Sequence, residues 1–311
     1  MVSAAAVRAL RLVAAACAAL VLACATAVPP VETGLLFLWE VARPDGSGGV
    51  AYLLGSIHLG DDAPDFDPAI LRELEAADTL ALEVAPQELA PEAMARLMLD
   101  RALLPEGRTL RDVVSADTWK RLSDRLHSAG LAPESFLPVK PWVVALTLQV
   151  AALRRQGFVS EQGVDFSIAR VAAAGGKRIV GLETAASQLD TLDSMPLSMQ
   201  ERLLRETLDE GPPGGAGALA VMLDAWRKGD AARIEAEVFP GLGDDPELLR
   251  YYEIIYFERN RRMATAIGEG VDGGEHWFVA VGVAHLVGEQ GIPRLLARQG
   301  YAVRRVPKTP R

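Results

Sequence analysis

The chain has little cysteine and little histidine for its length. Among 311 residues there are two cysteines and four histidines. Both cysteines, Cys17 and Cys24, lie in an N-terminal segment, residues 1–27, that we interpret as an export signal. The body that remains after its removal contains no thiol. This excludes structural disulfides, thiolate metal ligands and a cysteine nucleophile.

Positive charge is also scarce. The 32 Lys and Arg residues are outnumbered by 41 Asp and Glu residues, which gives a formal net charge of −9. Nucleic-acid binding needs clustered basic side chains to follow the phosphates, so we expect no nucleic-acid partner. The sequence has no phosphate-binding loop, no dinucleotide fingerprint and no Gly-x-Ser-x-Gly elbow.

Long hydrophobic runs are absent as well. The apolar and small-residue run 12–23 follows Arg8 and Arg11, and it is too short for a comfortable membrane span. The residues 21–24, Val-Leu-Ala-Cys, resemble a lipoprotein box, which predicts cleavage before Cys24 and lipidation of that residue. Ordinary cleavage after Ala25-Thr26-Ala27 is the alternative.

We therefore expect an exported protein, periplasmic or anchored to the envelope as a lipoprotein. In this interpretation the protein meets the membrane only through the lipid anchor.

Strand and helix patterns alternate through residues 31–311, which predicts a single α/β domain. We expect a mixed, mainly parallel sheet with flanking helices. It opens with a β-hairpin, 35–43 and 50–57, around a Gly-rich turn. The largely helical stretch of about 91–174 is a predicted helical insertion or cap, and 211–215 is a candidate hinge. Further strands are predicted at 79–84, 177–183, 277–282 and 301–306, and helices at 68–77, 246–267 and 292–299.

Two segments of the chain resemble each other. Residues 51–60 and 279–288 are both apolar strands that end in Gly-x-x-His-Leu, with His58 and His285 as the histidines. They are too far apart for a solenoid repeat, so we interpret them as two Gly-x-x-His half-repeats from an old duplication.

Polar groups follow four of the predicted strands. These are His58, Glu83, Glu183 and His285. In open α/β sheets, functional groups gather just beyond the carboxyl ends of the strands, so we expect these side chains to share one crevice. Two imidazoles and a carboxylate are sufficient to hold a divalent metal, and they are equally suited to metal-free acid and base catalysis.

Two further polar residues lie on the predicted helix 246–267. Arg259 has the planar fork that suits a carboxylate or an oxyanion, and Asn260 follows it. We assign the other two histidines, His127 and His276, to surface roles.

As a set, these residues resemble the TraB/GumN family, which is related to the TIKI proteases and more distantly to the erythromycin esterases. The resemblance covers about residues 36–306. It depends on the motifs Leu54-Gly55-Ser56-Ile57-His58-Leu59-Gly60, Leu82-Glu83, Lys140-Pro141-Trp142, Gly163-Val164-Asp165, Gly181-Leu182-Glu183-Thr184 with Gln188, Glu258-Arg259-Asn260, and Val281-Gly282-Val283-Ala284-His285-Leu286-Val287-Gly288.

The resemblance implies an α/β fold with paired Gly-x-x-His halves and an active-site set of His58, Glu83, Arg259 and His285. TIKI members look like metal-dependent proteases, whereas the esterase relatives use histidine and glutamate without a metal. A hydrolase of peptide or small ester substrates is therefore the leading hypothesis.

In this hypothesis His58, Glu83 and His285 bind a divalent metal (Mn, Co or Zn) or activate water directly, and Arg259 steadies the oxyanion. Glu183 and Asn260 are candidate substrate-binding residues. Two alternatives stay open: a non-catalytic envelope protein that sequesters a peptide, and a polar cluster with a purely structural role.

Overall fold

In the computed structural model, residues 34–310 are described except 59, 61, 63, 210–215 and 244. The predicted signal segment 1–27, its Cys24 and the candidate hinge 211–215 lie outside the described residues. No helix within the described ranges is both long enough and apolar enough to cross a membrane.

The strands are β1 (Leu35–Ala42), β2 (Val50–Ser56), β3 (Thr79–Val84), β4 (Arg178–Glu183), β5 (His276–Gly282) and β6 (Ala302–Pro307). The α-helices are α1 (Pro68–Ala76), α2 (Pro91–Ala102), α3 (Leu110–Val113), α4 (Ala116–Ser128), α5 (Pro141–Arg155), α6 (Val164–Ala174), α7 (Ala185–Asp193), α8 (Leu197–Asp209), α9 (Ala216–Lys228), α10 (Ala231–Val238), α11 (Pro246–Tyr252), α12 (Glu258–Asp272) and α13 (Ile292–Arg298). Single turns of 3-10 helix lie at Pro86–Leu89, Pro133–Phe136, Ser160–Gln162 and Val283–Leu286.

The strands form one sheet in the order β4-β3-β5-β2-β1-β6. Strands β4, β3, β5 and β2 are parallel, and β1 is antiparallel to both of its neighbours. The prediction of a mainly parallel sheet with an antiparallel hairpin is confirmed. All six residues of β3 are buried, as expected for an inner parallel strand that is covered by helices on both faces.

Local signals explain the first elements. The loop between β1 and β2 turns through Gly46 and Gly48, both at positive φ, where glycine is the residue of least strain. Asp67 caps α1 by accepting a hydrogen bond from the Ala69 amide, and Pro68 occupies the first helical position. The predicted hairpin and the helix that follows it are both present.

The helical middle of the chain divides differently from the predicted cap of 91–174. Helix α6 lies within that span, yet its Val164, Ile168 and Ala172 belong to the main core under the sheet. Helix α8 lies outside it, yet Leu204 packs with α3, α4 and α5 in a separate apolar cluster. Helical periodicity shows which face of a helix is buried but not which layer buries it, so the sequence could not assign these two helices.

The predicted helix 246–267 is longer and less regular than expected. Helices α11 and α12 are joined by a turn of π-helix, Glu253–Phe257, and the helical stretch continues to Asp272. Helix α12 runs antiparallel to the parallel strands. Its C-terminal end contacts the strand beginnings, since the carbonyl of Val271 accepts from the Gly49 amide just before β2. Its N-terminal end therefore lies at the carboxyl ends of the strands.

Candidate active site

The carboxyl ends of the four parallel strands bring the predicted polar residues to one edge of the sheet. Ser56 at the end of β2 pairs in register with Gly282 at the end of β5, which places the chains leading to His58 and His285 side by side. Glu83 is the fifth residue of β3, and Glu183 ends the neighbouring β4. Strand order alone thus assembles the two histidines and the two carboxylates.

Glu83 lies at the centre of the cluster. It is nearly buried, with 9% of its surface exposed. Its Oε1 accepts a hydrogen bond of 2.7 Å from the Gly282 amide, and its Oε2 accepts from Arg259 Nη2 at 2.6 Å and from Gln188 Nε2 at 2.9 Å. Burial alone raises the pKa of the Glu83 carboxyl, but His285, His58, Arg259 and the Gly282 amide together hold that pKa well below its usual range. Glu83 is therefore a carboxylate at any ordinary pH.

Arg259 connects the two carboxylates. Its Nε donates to Glu183 Oε2 at 2.8 Å, its Nη2 lies between Glu83 and Glu183, and its Nη1 donates to the carbonyl of Ile255 at 3.0 Å. Burial lowers the pKa of this guanidinium, but the two carboxylates outweigh burial and raise it. Arg259 is 8% exposed and its guanidinium is largely occupied by protein acceptors, so it holds Glu83 in place.

His285 is oriented from behind by Asn260. The Asn260 amide nitrogen donates to the Gln290 carbonyl at 2.7 Å, which leaves Asn260 Oδ1 to accept from His285 Nδ1 at 2.5 Å. This network assigns the proton to Nδ1 and leaves the Nε2 lone pair facing Glu83 Oε1, 3.7 Å away. Burial lowers the pKa of His285 to about 4 despite the attraction of Glu83. The imidazole is neutral at pH 7.

His58 has the same arrangement in a more open position. Its Nδ1 lies 3.0 Å from Asp165 Oδ2 and its Nε2 lies 3.9 Å from Glu83 Oε1. Desolvation lowers its pKa, but the Asp165 carboxylate and then Glu83 raise it to about 9. Since 59% of the side chain is exposed, the two carboxylates decide the direction of this shift. His58 is thus the cationic, solvent-facing member of the pair.

A sequence model described as the TraB/PrgY/gumN family matches residues 37–305. The chain belongs to the TraB/PrgY/gumN family. No solved structure matches the chain.

Relatives of this TraB/PrgY/gumN protein include the uncharacterized protein YbaP of Shigella flexneri, 25% identical over 79% of this chain and 87% of the relative. YbaP of Escherichia coli (strain K12) is 25% identical with the same coverage. A protein of Amphimedon queenslandica named metalloprotease TIKI homolog is 23% identical over 88% of this chain and 62% of that relative.

Two contributors to the site were not among the predicted site residues. Asp165, in the first turn of α6, supports His58, and Gln188, in α7, donates to Glu83. Both occur in motifs that carry the family resemblance, which was the available signal. Gly163 makes the contact between Asp165 and His58 sterically feasible, because a Cβ at position 163 would lie 2.5 Å from the His58 carbonyl oxygen.

Three further polar residues have contacts that the sequence did not predict. Asn260 is fully buried and both ends of its amide contact the protein, whereas its contact with substrate stays a prediction. Glu183 is likewise occupied by Arg259 and Arg262. His276 is half-buried against Tyr52 rather than a surface residue, whereas His127 is exposed.

The donor set can be tested against a divalent ion. Within the described residues, no group of three or more His, Cys, Asp or Glu side chains is placed to hold a metal ion as it stands. Ligand atoms about 2.1 Å from a tetrahedral metal lie about 3.4 Å from each other. Glu83 Oε1 lies 3.7 Å from His285 Nε2 and 3.9 Å from His58 Nε2. Both distances would need to shorten by a few tenths of an ångström. Nδ1 hydrogen bonds behind both histidines are typical of metal-binding imidazoles, so the donor chemistry fits.

Proposed function

We propose that this protein hydrolyses peptide or ester bonds, using His58, His285 and Glu83. The observation that carries the proposal is the pair of imidazoles whose Nε2 atoms face one permanently ionised oxygen, Glu83 Oε1, from different environments. One imidazole is cationic and exposed, and the other is neutral and buried. Paired titratable groups whose pKa values are driven apart are typical of acid and base catalysts. The similarity to a protein named metalloprotease TIKI homolog supports the same reaction class.

The proton transfers follow from these environments. His285 Nε2 accepts a proton from a water molecule whose oxygen forms a bond to the substrate carbonyl carbon. His58 Nε2 gives its proton to the leaving nitrogen or oxygen as the scissile bond breaks, so that one water is added across the bond. Glu83 stays ionised and stabilises whichever imidazole carries the extra proton, and after product release His285 gives its proton to solvent while exposed His58 takes one up, which restores the starting state. Asn260 and Asp165 keep the rings aligned throughout.

A divalent ion such as Mn²⁺, Co²⁺ or Zn²⁺ would be held by Nε2 of His58, Nε2 of His285 and Oε1 of Glu83. When bound, such an ion would lower the pKa of a water molecule and polarise the substrate carbonyl. Asp165 and Asn260 then fix the histidine tautomers, and Arg259 keeps Glu83 oriented. The chain therefore offers the same cluster for metal-assisted and for metal-free hydrolysis.

The experiment is a hydrolysis assay of the purified protein on a pool of internally quenched fluorogenic peptides and on p-nitrophenyl acetate, with added Mn²⁺, Co²⁺ or Zn²⁺ and with EDTA. His58→Ala and His285→Ala are expected to abolish turnover. His127→Ala, at an exposed position on α4, is the matched control and is expected to leave it unchanged. Turnover retained by both site variants would sink the proposal.

A binding protein that sequesters a peptide would behave differently in the same samples. Mass spectrometry would recover the peptides intact after stoichiometric binding. That result would replace hydrolysis by capture at the same cleft.

We further propose that the protein works in the cell envelope, anchored by a lipid on Cys24. The support is the N-terminal sequence, which lies outside the described residues. Cys24→Ser is expected to move the protein from the membrane fraction to the periplasmic fraction. An unchanged distribution between the two fractions would argue for ordinary cleavage without lipidation.

A further inference from the structure

One aromatic residue beside the cluster has no role in the arrangement described so far. Tyr256 lies in the π-helical turn before α12, and its ring is 5.5 Å from the His285 ring in an edge-on contact. On its other side, Phe239 meets it edge-on at 5.5 Å. The Tyr256 ring is therefore held between the core and the buried catalytic imidazole.

The direction of α12 places this residue at the mouth of the site. Arg259, in the first turn of α12, contacts the strand ends through Glu83 and Glu183. Since the helical stretch runs antiparallel to the strands, Tyr256 lies about one turn farther out than Arg259, beyond the strand ends. A substrate bound over Glu83 would lie beyond the same carboxyl ends of the strands.

The π-helical turn also changes the hydrogen bonding around the site. The Glu258 amide donates to the carbonyl of Glu253, five residues earlier, instead of following the α-helical pattern. The carbonyl of Ile255 accepts from the Arg259 side chain. Such turns occur frequently at functional sites. This turn contains Tyr256, which contacts His285, and it leads directly into α12, where Arg259 anchors Glu83.

The Tyr256 hydroxyl has no hydrogen-bond partner among the described residues, whereas that of Tyr252, one turn earlier, donates to the Pro240 carbonyl at 3.2 Å. His58 Nε2 serves as the proposed acid, and the other side-chain donors near Glu83 are occupied. Arg259 is engaged by two carboxylates and a carbonyl, and Gln188 donates to Glu83. Hydrolysis of a peptide or ester creates negative charge on the carbonyl oxygen, and that oxygen needs a donor.

We propose that the Tyr256 hydroxyl donates a hydrogen bond to the carbonyl oxygen of the scissile bond and stabilises the oxyanion of the tetrahedral intermediate. This inference rests on the proposed hydrolytic function and gives the oxyanion role, expected of Arg259 from the sequence, to a different residue. A phenol with its ordinary pKa of about 10 is protonated at neutral pH and can donate a hydrogen bond.

The test compares Tyr256→Phe with Tyr252→Phe, which removes a hydroxyl from the same helical stretch away from the cluster. Each variant keeps its ring, and thermal unfolding measures whether it folds. On a fluorogenic peptide or p-nitrophenyl acetate, Tyr256→Phe is expected to lower kcat about 100-fold with little change in KM, the effect typical of one lost oxyanion donor. Tyr252→Phe is expected to keep kcat and to lose thermal stability instead.

Binding of a transition-state mimic gives a second measurement that does not depend on turnover. A phosphinate analogue of the cleaved peptide, titrated by calorimetry, is expected to bind Tyr256→Phe about 100-fold more weakly than the parent, while the peptide product binds both equally. If His58→Ala abolishes turnover but Tyr256→Phe matches the parent in kcat and phosphinate affinity, the role of Tyr256 is refuted and the hydrolase proposal stands. If the parent neither cleaves nor binds these probes, the hydrolase proposal fails and this inference fails with it.

Discussion

Replacing Arg259 by methionine tests whether the buried charge network holds the site together. Methionine has a similar length and suits a buried position, but it removes the only positive charge that contacts both Glu83 and Glu183 among the described residues. Both carboxylates are 9% exposed. Removing one partner of a buried ion pair leaves uncompensated charge and costs about 3–5 kcal/mol. We expect the free energy of unfolding at pH 7 to fall by that amount.

Arg262→Met is the matched control. Arg262 lies one turn further along α12, its side chain is 54% exposed, and its nearest approach to Glu183 is 3.3 Å. Ion pairs of this exposed kind contribute about 0–1 kcal/mol. The two arginines thus differ in burial while sharing a helix and an acidic partner.

The pH dependence follows from Glu83. Its pKa in the folded parent lies below the unfolded value, so its contribution to stability is complete above the unfolded pKa and is lost only as pH falls toward the folded one. In Arg259→Met the folded pKa of Glu83 rises, and protonation relieves the buried charge. The difference in stability between parent and variant is therefore expected to shrink as pH falls from 7 toward 4.

Urea unfolding, followed by circular dichroism at pH 7 and pH 4.5, measures both effects. A loss in Arg259→Met no larger than in Arg262→Met, or a difference that does not depend on pH, would refute the reasoning.

Three further predictions concern the site itself. Gly163→Ala is expected to lower activity at least tenfold and the free energy of unfolding by about 1–3 kcal/mol, because the new Cβ would lie 2.5 Å from the His58 carbonyl oxygen. Gly175→Ala, at the other end of α6, is the control, because the nearest atom to its Cβ is 3.5 Å away. Equal effects in the two variants would contradict the steric argument. The proposed metal-free reaction requires His58 to be protonated and His285 to be neutral. A profile of kcat/KM against pH, measured without metal, is therefore expected to be flat between about pH 4 and pH 9 and to fall outside these limits. An inflection near pH 7 that depends on added metal would instead indicate a metal-bound water. Elemental analysis measures the metal content after equilibration with Mn²⁺, Co²⁺ and Zn²⁺. If the reaction is metal-assisted, about one equivalent is expected in the parent and none in His58→Ala/His285→Ala. No metal in either protein would favour His58 and His285 acting as acid and base without a metal.

Much of the fold could be predicted because its signals are local. The hairpin loop with Gly46 and Gly48, the Asp67 cap of α1 and the largely apolar strand 79–84 each act within a few residues. Helices between strands then imply parallel pairing through crossover connections. The layer to which α6 and α8 belong could not be predicted, since an apolar helical face packs equally well on a sheet or on another helix.

The sequence by itself determined which residues are brought to the strand ends. Both Gly-x-x-His motifs follow apolar strands, Glu83 lies near the end of another, and the carboxyl ends of parallel strands meet at one edge. The strand order β3-β5-β2, which only the structure supplies, then makes His58, Glu83 and His285 neighbours.

Only the tertiary structure decided what each of these residues can do. Two chemically identical imidazoles acquire different charge states, one cationic and one neutral, because one is buried against an amide and the other is exposed beside a carboxylate. Arg259 becomes a support for Glu83, and the ring of Tyr256 contacts His285 while its hydroxyl has no hydrogen-bond partner within the described part of the chain. Burial and partners come from helices remote in sequence, and pKa values depend on distances that no local pattern encodes.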